Sequence, residues 1–138
     1  MKQKLFSAAL LGLLLSFTAC DLLEEETTGG TIDVTEDISV PTTWTSENTY
    51  IIEGGLHVKA DLTIEPGTII KFKQGATIYV AYYGDDYATV KALGTQEKPI
   101  RFTSLAPSPA AGDYDGIGFY AGATNCEFTH CIFEYVGG

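Results

Sequence analysis

After about Ile38, no window of the chain holds apolar residues at i, i+3, i+4 and i+7 for even three helical turns, and this constrains the fold most. Short alternating or β-branched clusters stand there instead, among them Tyr50-Ile51-Ile52, Leu56-His57-Val58, Leu62-Thr63-Ile64 and Thr68-Ile69-Ile70-Lys71-Phe72. Thr77-Ile78-Tyr79-Val80, Ala88-Thr89-Val90, Pro99-Ile100-Arg101-Phe102-Thr103, Gly116-Ile117-Gly118-Phe119-Tyr120 and Cys126 to Tyr135 continue the series. Gly, Pro, Asn and Asp punctuate it at Gly54-Gly55, Glu65-Pro66-Gly67, Gln74-Gly75, Gly84-Asp85-Asp86, Gly94-Thr95 and Gly112-Asp113. Eleven Ile and sixteen Thr after Ala19 favour half-buried strands. The chain is read as all-β.

Repetition narrows the choice of all-β fold. Ile70-Lys71-Phe72 recurs thirty residues on as Ile100-Arg101-Phe102, with a looser copy at Ile117-Gly118-Phe119. Leu62-Thr63-Ile64 has a weaker echo in Ala88-Thr89-Val90, twenty-six residues on. Like residues at such spacings suit a parallel β-solenoid, with Ile70 stacked on Ile100, Phe72 on Phe102, and Lys71 and Arg101 outside. The unequal spacings imply loops that bulge at the corners, chiefly Ala81 to Tyr87 and Leu105 to Asp115. Pro66-Gly67, Gly94 and Gly116 fall where such a coil must bend. A β-sandwich of the same strands is the competing architecture.

A resemblance strengthens the solenoid. Thr63 to Phe72, "TIEPGTIIKF", is similar to the opening coil of secreted right-handed parallel β-helix proteins. Val90-Lys91-Ala92-Leu93-Gly94-Thr95 and Pro99 to Ser104 resemble their next coil, Gly112 to Ile117 its "GDWGGI" turn, and Asn125 to Gly138 its "NC-x-F" rung. The match runs in order over roughly residues 49 to 138, departing where Tyr114 and Asp115 replace Trp and Gly and where Tyr82 to Tyr87 is unusually aromatic. The fold implied is a right-handed parallel β-helix, with 38–138 as coils of an incomplete series.

The first nineteen residues read as an export signal. Met1-Lys2-Gln3-Lys4 is a basic n-region, and Leu5 to Phe17 is an apolar run too short to span a bilayer. Phe17-Thr18-Ala19-Cys20 resembles the lipobox of bacterial lipoproteins, with Phe17 where Leu is usual. That resemblance implies cleavage before Cys20 and acylation of its thiol, and two or more acyl chains hold a protein firmly on a membrane. Residues 20–37 carry seven acidic residues and no basic one, as expected of a lipidated, solvated tether. Loss of Lys2 and Lys4 from the eight basic residues leaves six against eighteen acidic, a net charge of −12. So acidic a surface excludes nucleic acid as a partner, because phosphate binding requires Lys and Arg.

Little in the sequence carries chemistry. Asp85-Asp86 and Asp113-x-Asp115 are the carboxylate pairs in expected loops, and the second resembles half of a Ca²⁺ loop without its further ligands. Glycoside hydrolysis needs two positioned carboxyls, whereas neighbours in a strand point to opposite faces. His57 and His130 have no ligand partner at metal spacing. The better lead is aromatic: Tyr79, Tyr82, Tyr83 and Tyr87 fall within nine residues beside Asp85 and Asp86, with Tyr114 and Tyr120 further on. Exposed rings beside carboxylates stack on sugar faces and bind hydroxyls, which makes Tyr82, Tyr83, Tyr87, Asp85, Asp86 and Tyr114 the candidate binding set. A disulfide between Cys126 and Cys131 is chemically allowed in an exported chain, whereas the β-helix resemblance carries a free, stacked cysteine in this rung.

The expectation is an outer-membrane lipoprotein, facing the periplasm or the cell surface, whose β-helix binds polysaccharide or a surface protein or serves as structure. The alternative is the N-terminal part of a polysaccharide lyase or glycoside hydrolase with its catalytic coils beyond residue 138.

Overall fold

The computed structural model describes residues 29–137; the leader and the first half of the acidic tether, Cys20 included, lie outside them. Twelve strands follow one another without a helix among the described residues. β1 (Gly30–Val34) precedes three complete coils: β2 (Thr42–Trp44), β3 (Asn48–Ile52) and β4 (Gly55–Val58); β5 (Leu62–Ile64), β6 (Ile69–Phe72) and β7 (Thr77–Val80); β8 (Val90–Leu93), β9 (Ile100–Ser104) and β10 (Gly116–Phe119). β11 (Glu127–Thr129) and β12 (Cys131–Phe133) begin a fourth. Each coil gives one strand to each of three parallel sheets, in the orders β1-β3-β6-β9-β12, β10-β7-β4 and β11-β8-β5-β2. This is a right-handed parallel β-helix, and pairing of like strands from successive coils excludes the sandwich.

Alternation within each short strand sends one set of side chains into the stack and the other outward. One inward ladder runs Ile32, Tyr50, Ile70, Phe102 and Phe133 in register. Its middle members are buried, while Ile32 and Phe133, with no described coil beyond them, are 40% and 43% exposed. A second ladder runs Leu56, Ile78 and Ile117, and a third joins Trp44, Ile64, Ala92 and Phe128. Burial of each large apolar side chain contributes about 1.5–3 kcal/mol, the main stabilisation of a fold without helices.

Three expectations need correction. The third coil is shifted by two residues: Ile70 faces Phe102 rather than Ile100, Phe72 faces Ser104, and Leu62 faces Val90. The Phe72 and Phe102 rings still touch diagonally, with centroids 6.5 Å apart. A shift of two keeps every side chain on its own face, so alternation alone cannot choose between the registers. What favours the observed one is space. The small Ser104 over Phe72 leaves room for the Tyr114 ring, which stacks on Phe72 at 4.1 Å and 8°. Next, Ile117-Gly118-Phe119 is no third copy in that ladder; it lies on Ile78-Tyr79-Val80 in the three-stranded sheet. Finally, paired strand begins at Gly30, inside the stretch expected to be tether, because β1 lies in register on β3.

The corners follow their glycines for two different reasons. Gly67 and Gly116 adopt φ of 86° and 106°, which a side chain resists. Gly94 has no such backbone angle; a Cβ there would come within 2.7 Å of the His130 carbonyl and 3.0 Å of the Ile100 nitrogen. Coil lengths grow along the chain, from 20 residues (Thr42 to Leu62) through 28 (Leu62 to Val90) to 36 (Lys91 to Glu127). The added length goes into loops at the corners, including both segments expected to bulge.

Cys126 and Cys131 are free thiols packed against the core. Cys126 Sγ accepts the Val90 N–H at 3.3 Å, and Cys131 Sγ donates to the Ala92 carbonyl at 3.4 Å. Cys126 thus lies against β8, whereas Cys131 stacks on Ile100 of β9 and its thiol reaches across to β8; the disulfide between them is not formed. Burial raises the Cys131 pKa, which keeps that thiol protonated.

Candidate functional site

The outer face of the three-stranded sheet carries a cluster of five aromatic rings. In β4, Leu56 and Val58 point inward and His57 outward; in β7, Ile78 and Val80 point inward and Tyr79 outward. Register places His57, Tyr79 and Gly118 in one outward row across β4, β7 and β10. Gly118 leaves its place in the row open, and the Tyr120 ring fills it: a Cβ on Gly118 would meet that ring at 3.2 Å.

The loop after β7 returns two more rings to the same face. Ala81 turns the chain with φ of 55°. Asp86 N–H then donates to the Tyr83 carbonyl at 2.9 Å, and Tyr83 N–H to Asp86 Oδ2 at 3.3 Å, closing a tight turn. His57 consequently stacks with Tyr79 at 5.1 Å and 23° and with Tyr83 at 5.0 Å and 26°. Tyr82 meets His57 at 5.4 Å, Tyr79 at 5.2 Å and Tyr120, edge-on, at 4.7 Å. Offset and edge-on pairs of this kind are each worth about 0.5–1.5 kcal/mol beyond their burial. The cluster remains open to solvent, with Tyr82, Tyr83 and Tyr120 at 45%, 51% and 39% exposure.

Charge borders the rings on one side. Asp37 Oδ1 accepts the His57 backbone N–H at 3.1 Å, and its Oδ2 pairs with Lys59 Nζ at 3.0 Å. Partial burial would raise the Asp37 pKa, but the Lys59 hydrogen bond, the His57 amide and the Lys59 charge outweigh it and hold the carboxyl below its ordinary value. Lys59 Nζ lies 5.4 Å from the centre of the Tyr83 ring, an ammonium over an aromatic face. His57 Nδ1 is buried among the rings with no hydrogen-bond partner.

The candidate binding set divides on this geometry. Tyr82, Tyr83 and Asp86 form the turn over the rings, and Asp85 and Tyr87 are exposed in the same loop, Tyr87 at 71%. Tyr114 belongs elsewhere. It is fully buried, stacked on Phe72, and its hydroxyl donates to the Phe102 carbonyl at 3.1 Å. Burial pushes its pKa up to about 12, and a phenol so placed meets no ligand. It serves as core filler where the family resemblance expected Trp. Asp113 and Asp115, the weak Ca²⁺ candidates, are engaged within the fold: Asp113 accepts from Ser104 Oγ at 2.6 Å and Ala110 N at 3.0 Å, and Asp115 from Thr77 Oγ1 of β7 at 3.2 Å. Those bonds, that from Ser104 first, lower the Asp113 pKa. Among the described residues no group of three or more His, Cys, Asp or Glu is placed to hold a metal ion.

Sequence reasoning left His57 as a lone histidine and Tyr79 and Tyr120 outside the set. The signal for the first two was present. Leu56-His57-Val58 and Ile78-Tyr79-Val80 repeat the same in-out-in pattern one coil apart. Lys71 and Arg101 do lie on one outer face, that of the five-stranded sheet, but Arg101 pairs with Glu134, which also accepts from Thr103 Oγ1 at 3.0 Å. A cleft of about 400 Å³ lies apart from the rings, lined by Ile117, Phe119, Phe128, Phe133 and Val136. It lies where Ile117, Phe128 and Phe133 stand in the inward ladders and is not part of the aromatic face.

No curated protein and no solved structure matches the chain. A family model does match, the one described as a pectate-lyase-like beta-helix domain, over residues 35–130. That span runs from the turn after β1 to the turn before β12, so it takes in all three complete coils and the loop that carries Tyr82 and Tyr83. More than half of the sequence lies within it, and the chain belongs to the pectate-lyase-like β-helix domain family.

Proposed function

We propose that the protein is a membrane-anchored envelope lipoprotein whose coils present the His57–Tyr79–Tyr82–Tyr83–Tyr120 face to glycans. The observation that carries this reading is the open ring cluster itself. Aromatic rings left 39–51% exposed expose apolar surface that water does not favour, and the C–H faces of pyranose rings cover such surface while tyrosine hydroxyls and the Asp85 and Asp86 carboxylates meet sugar hydroxyls. A pectate-lyase-like β-helix domain fits a structural or carbohydrate-related module, which agrees with a binding face on a rigid coil. The anchor rests on the order of basic n-region, apolar run and Phe17-Thr18-Ala19-Cys20.

Two measurements test the two halves of the proposal. A Tyr82→Ala/Tyr83→Ala variant of the full chain is expected to lose about tenfold or more in affinity for cell-envelope or matrix polysaccharide, since each stacked ring contributes about 0.5–1.5 kcal/mol. Unchanged retention on polysaccharide overturns the binding reading, and retention of a surface protein alone assigns the face to protein instead. A Cys20→Ala variant is expected to lose fatty-acid labelling and to leave the membrane fraction. Membrane retention without label overturns the anchor.

A further inference from the structure

The aromatic face has a charge that bears on which glycan it takes. Between Ala81 and Tyr87 the loop holds Asp85 and Asp86 and no basic residue. Asp37 and Lys59 beside the rings cancel one another as an ion pair. The rim is thus left with two net negative charges on a chain whose formal charge is −10. The cations that might offset them are occupied or distant. Among the described residues Lys73 pairs with Glu53, Lys91 with Glu127 and Arg101 with Glu134, while Lys71 and Lys98 belong to the side of the five-stranded sheet. A carboxylate-bearing sugar would meet a rim with two net negative charges, whose one cation, Lys59, is already paired with Asp37. An ammonium would meet net attraction from that rim, and one already lies beside these rings, Lys59 Nζ being 5.4 Å from the centre of Tyr83. Asp86 spends one oxygen on the Tyr83 N–H and Asp85 is exposed, so carboxylate oxygens remain for an incoming cation.

We propose that this face selects glycans carrying ammonium groups, of the glucosamine type, over glycans carrying carboxylates. The proposal rests on the glycan-binding reading above and adds to it the substrate class. Pyranose faces stack on Tyr82, Tyr83 and Tyr120, and the amine of the same or a neighbouring sugar pairs with Asp85 or Asp86. N-acetylation removes the charge but not the stacking face. Acetylated and free-amine oligomers of one backbone therefore separate the two contributions.

The test uses the full chain in detergent, at about pH 6 where the amine is charged, with β-1,4-glucosamine hexamers, the same hexamers N-acetylated, and galacturonate hexamers. The free-amine hexamer is expected to bind about fivefold tighter than the acetylated one, the value of one exposed ion pair, with the galacturonate weakest. That preference is expected to vanish at about 0.5 M salt, and in an Asp85→Asn/Asp86→Asn variant the ratio of free-amine to acetylated affinity is expected to fall to about one, whatever that variant's affinity for the acetylated hexamer. Equal affinities for the first two, or tightest binding of galacturonate, overturn the selectivity and leave the glycan reading standing. Free-amine binding that survives Tyr82→Ala/Tyr83→Ala shows adsorption to an acidic surface and overturns it as well. No binding of any hexamer, together with unchanged polysaccharide retention in the tyrosine variant, overturns both.

Discussion

Replacement of Phe102 by Ala is expected to destabilise the protein by about 3–5 kcal/mol. The ring is fully buried within the inward ladder, stacked on Phe133 at 4.5 Å and in tilted contact with Phe72 at 6.5 Å and Phe128 at 6.2 Å. Its backbone carbonyl also accepts the Tyr114 hydroxyl at 3.1 Å and the Glu134 N–H at 3.0 Å. Truncation removes the ring and loosens the neighbours that hold both bonds in place. A cavity between stacked coils cannot close by a local collapse, since strands on either side are pinned by their own ladders. A domain of this size has about 5–15 kcal/mol in all, so the loss is about a fifth of it or more, a fall in Tm of about 15 °C. Tyr87→Ala is the comparison. That ring is 71% exposed in the loop after β7, and its removal is expected to change stability by no more than about 0.5 kcal/mol. Similar melting of both variants would show that the ladder is not the core.

The sequence made the coils legible because in-out alternation and corner residues are local properties, written within three or four residues of each other. Register was not legible to the same degree. Two registers that differ by two residues bury the same face, and the choice between them rests on Tyr114 lying against Phe72 beneath Ser104, a contact between residues far apart along the chain. The same limit explains the candidate site. Tyr82 and Tyr83 announced themselves by crowding, whereas His57 joins them only through a strand pairing one coil back, and Tyr120 only through the gap that Gly118 leaves. Tyr114 failed in the opposite sense. A tyrosine in a loop full of Gly, Pro and Asp reads as exposed, and only the space over Phe72 makes it core. The leader and Cys20 were read from order and composition alone, and they lie outside the described residues.

The tyrosine loop owes its position to a glycine outside it. Gly122 lies in the turn after β10, where Ala123 N–H donates to the Tyr120 carbonyl at 2.8 Å and the Gly122 carbonyl accepts the Ala88 N–H at 3.2 Å. A Cβ on Gly122 would collide with the Asp86 carbonyl and come within 3.1 Å of Ala81 Cβ. Both ends of the loop therefore rest on this one position. Gly122→Ala is expected to push Asp86 outward, breaking its paired hydrogen bonds with Tyr83 and freeing Tyr82 and Tyr83 from His57. Overpacking against backbone costs about 1–3 kcal/mol. The sharper readout is local: the His57 ring protons, shielded by stacked tyrosines in the native protein, shift toward their free-chain positions, and polysaccharide affinity falls about tenfold. Gly84→Ala in the same loop is the control, because a Cβ there meets nothing within 4 Å, and it is expected to change neither. Native His57 resonances in Gly122→Ala, with stability within about 0.5 kcal/mol of the parent, would mean that the rings hold the loop in place without this support.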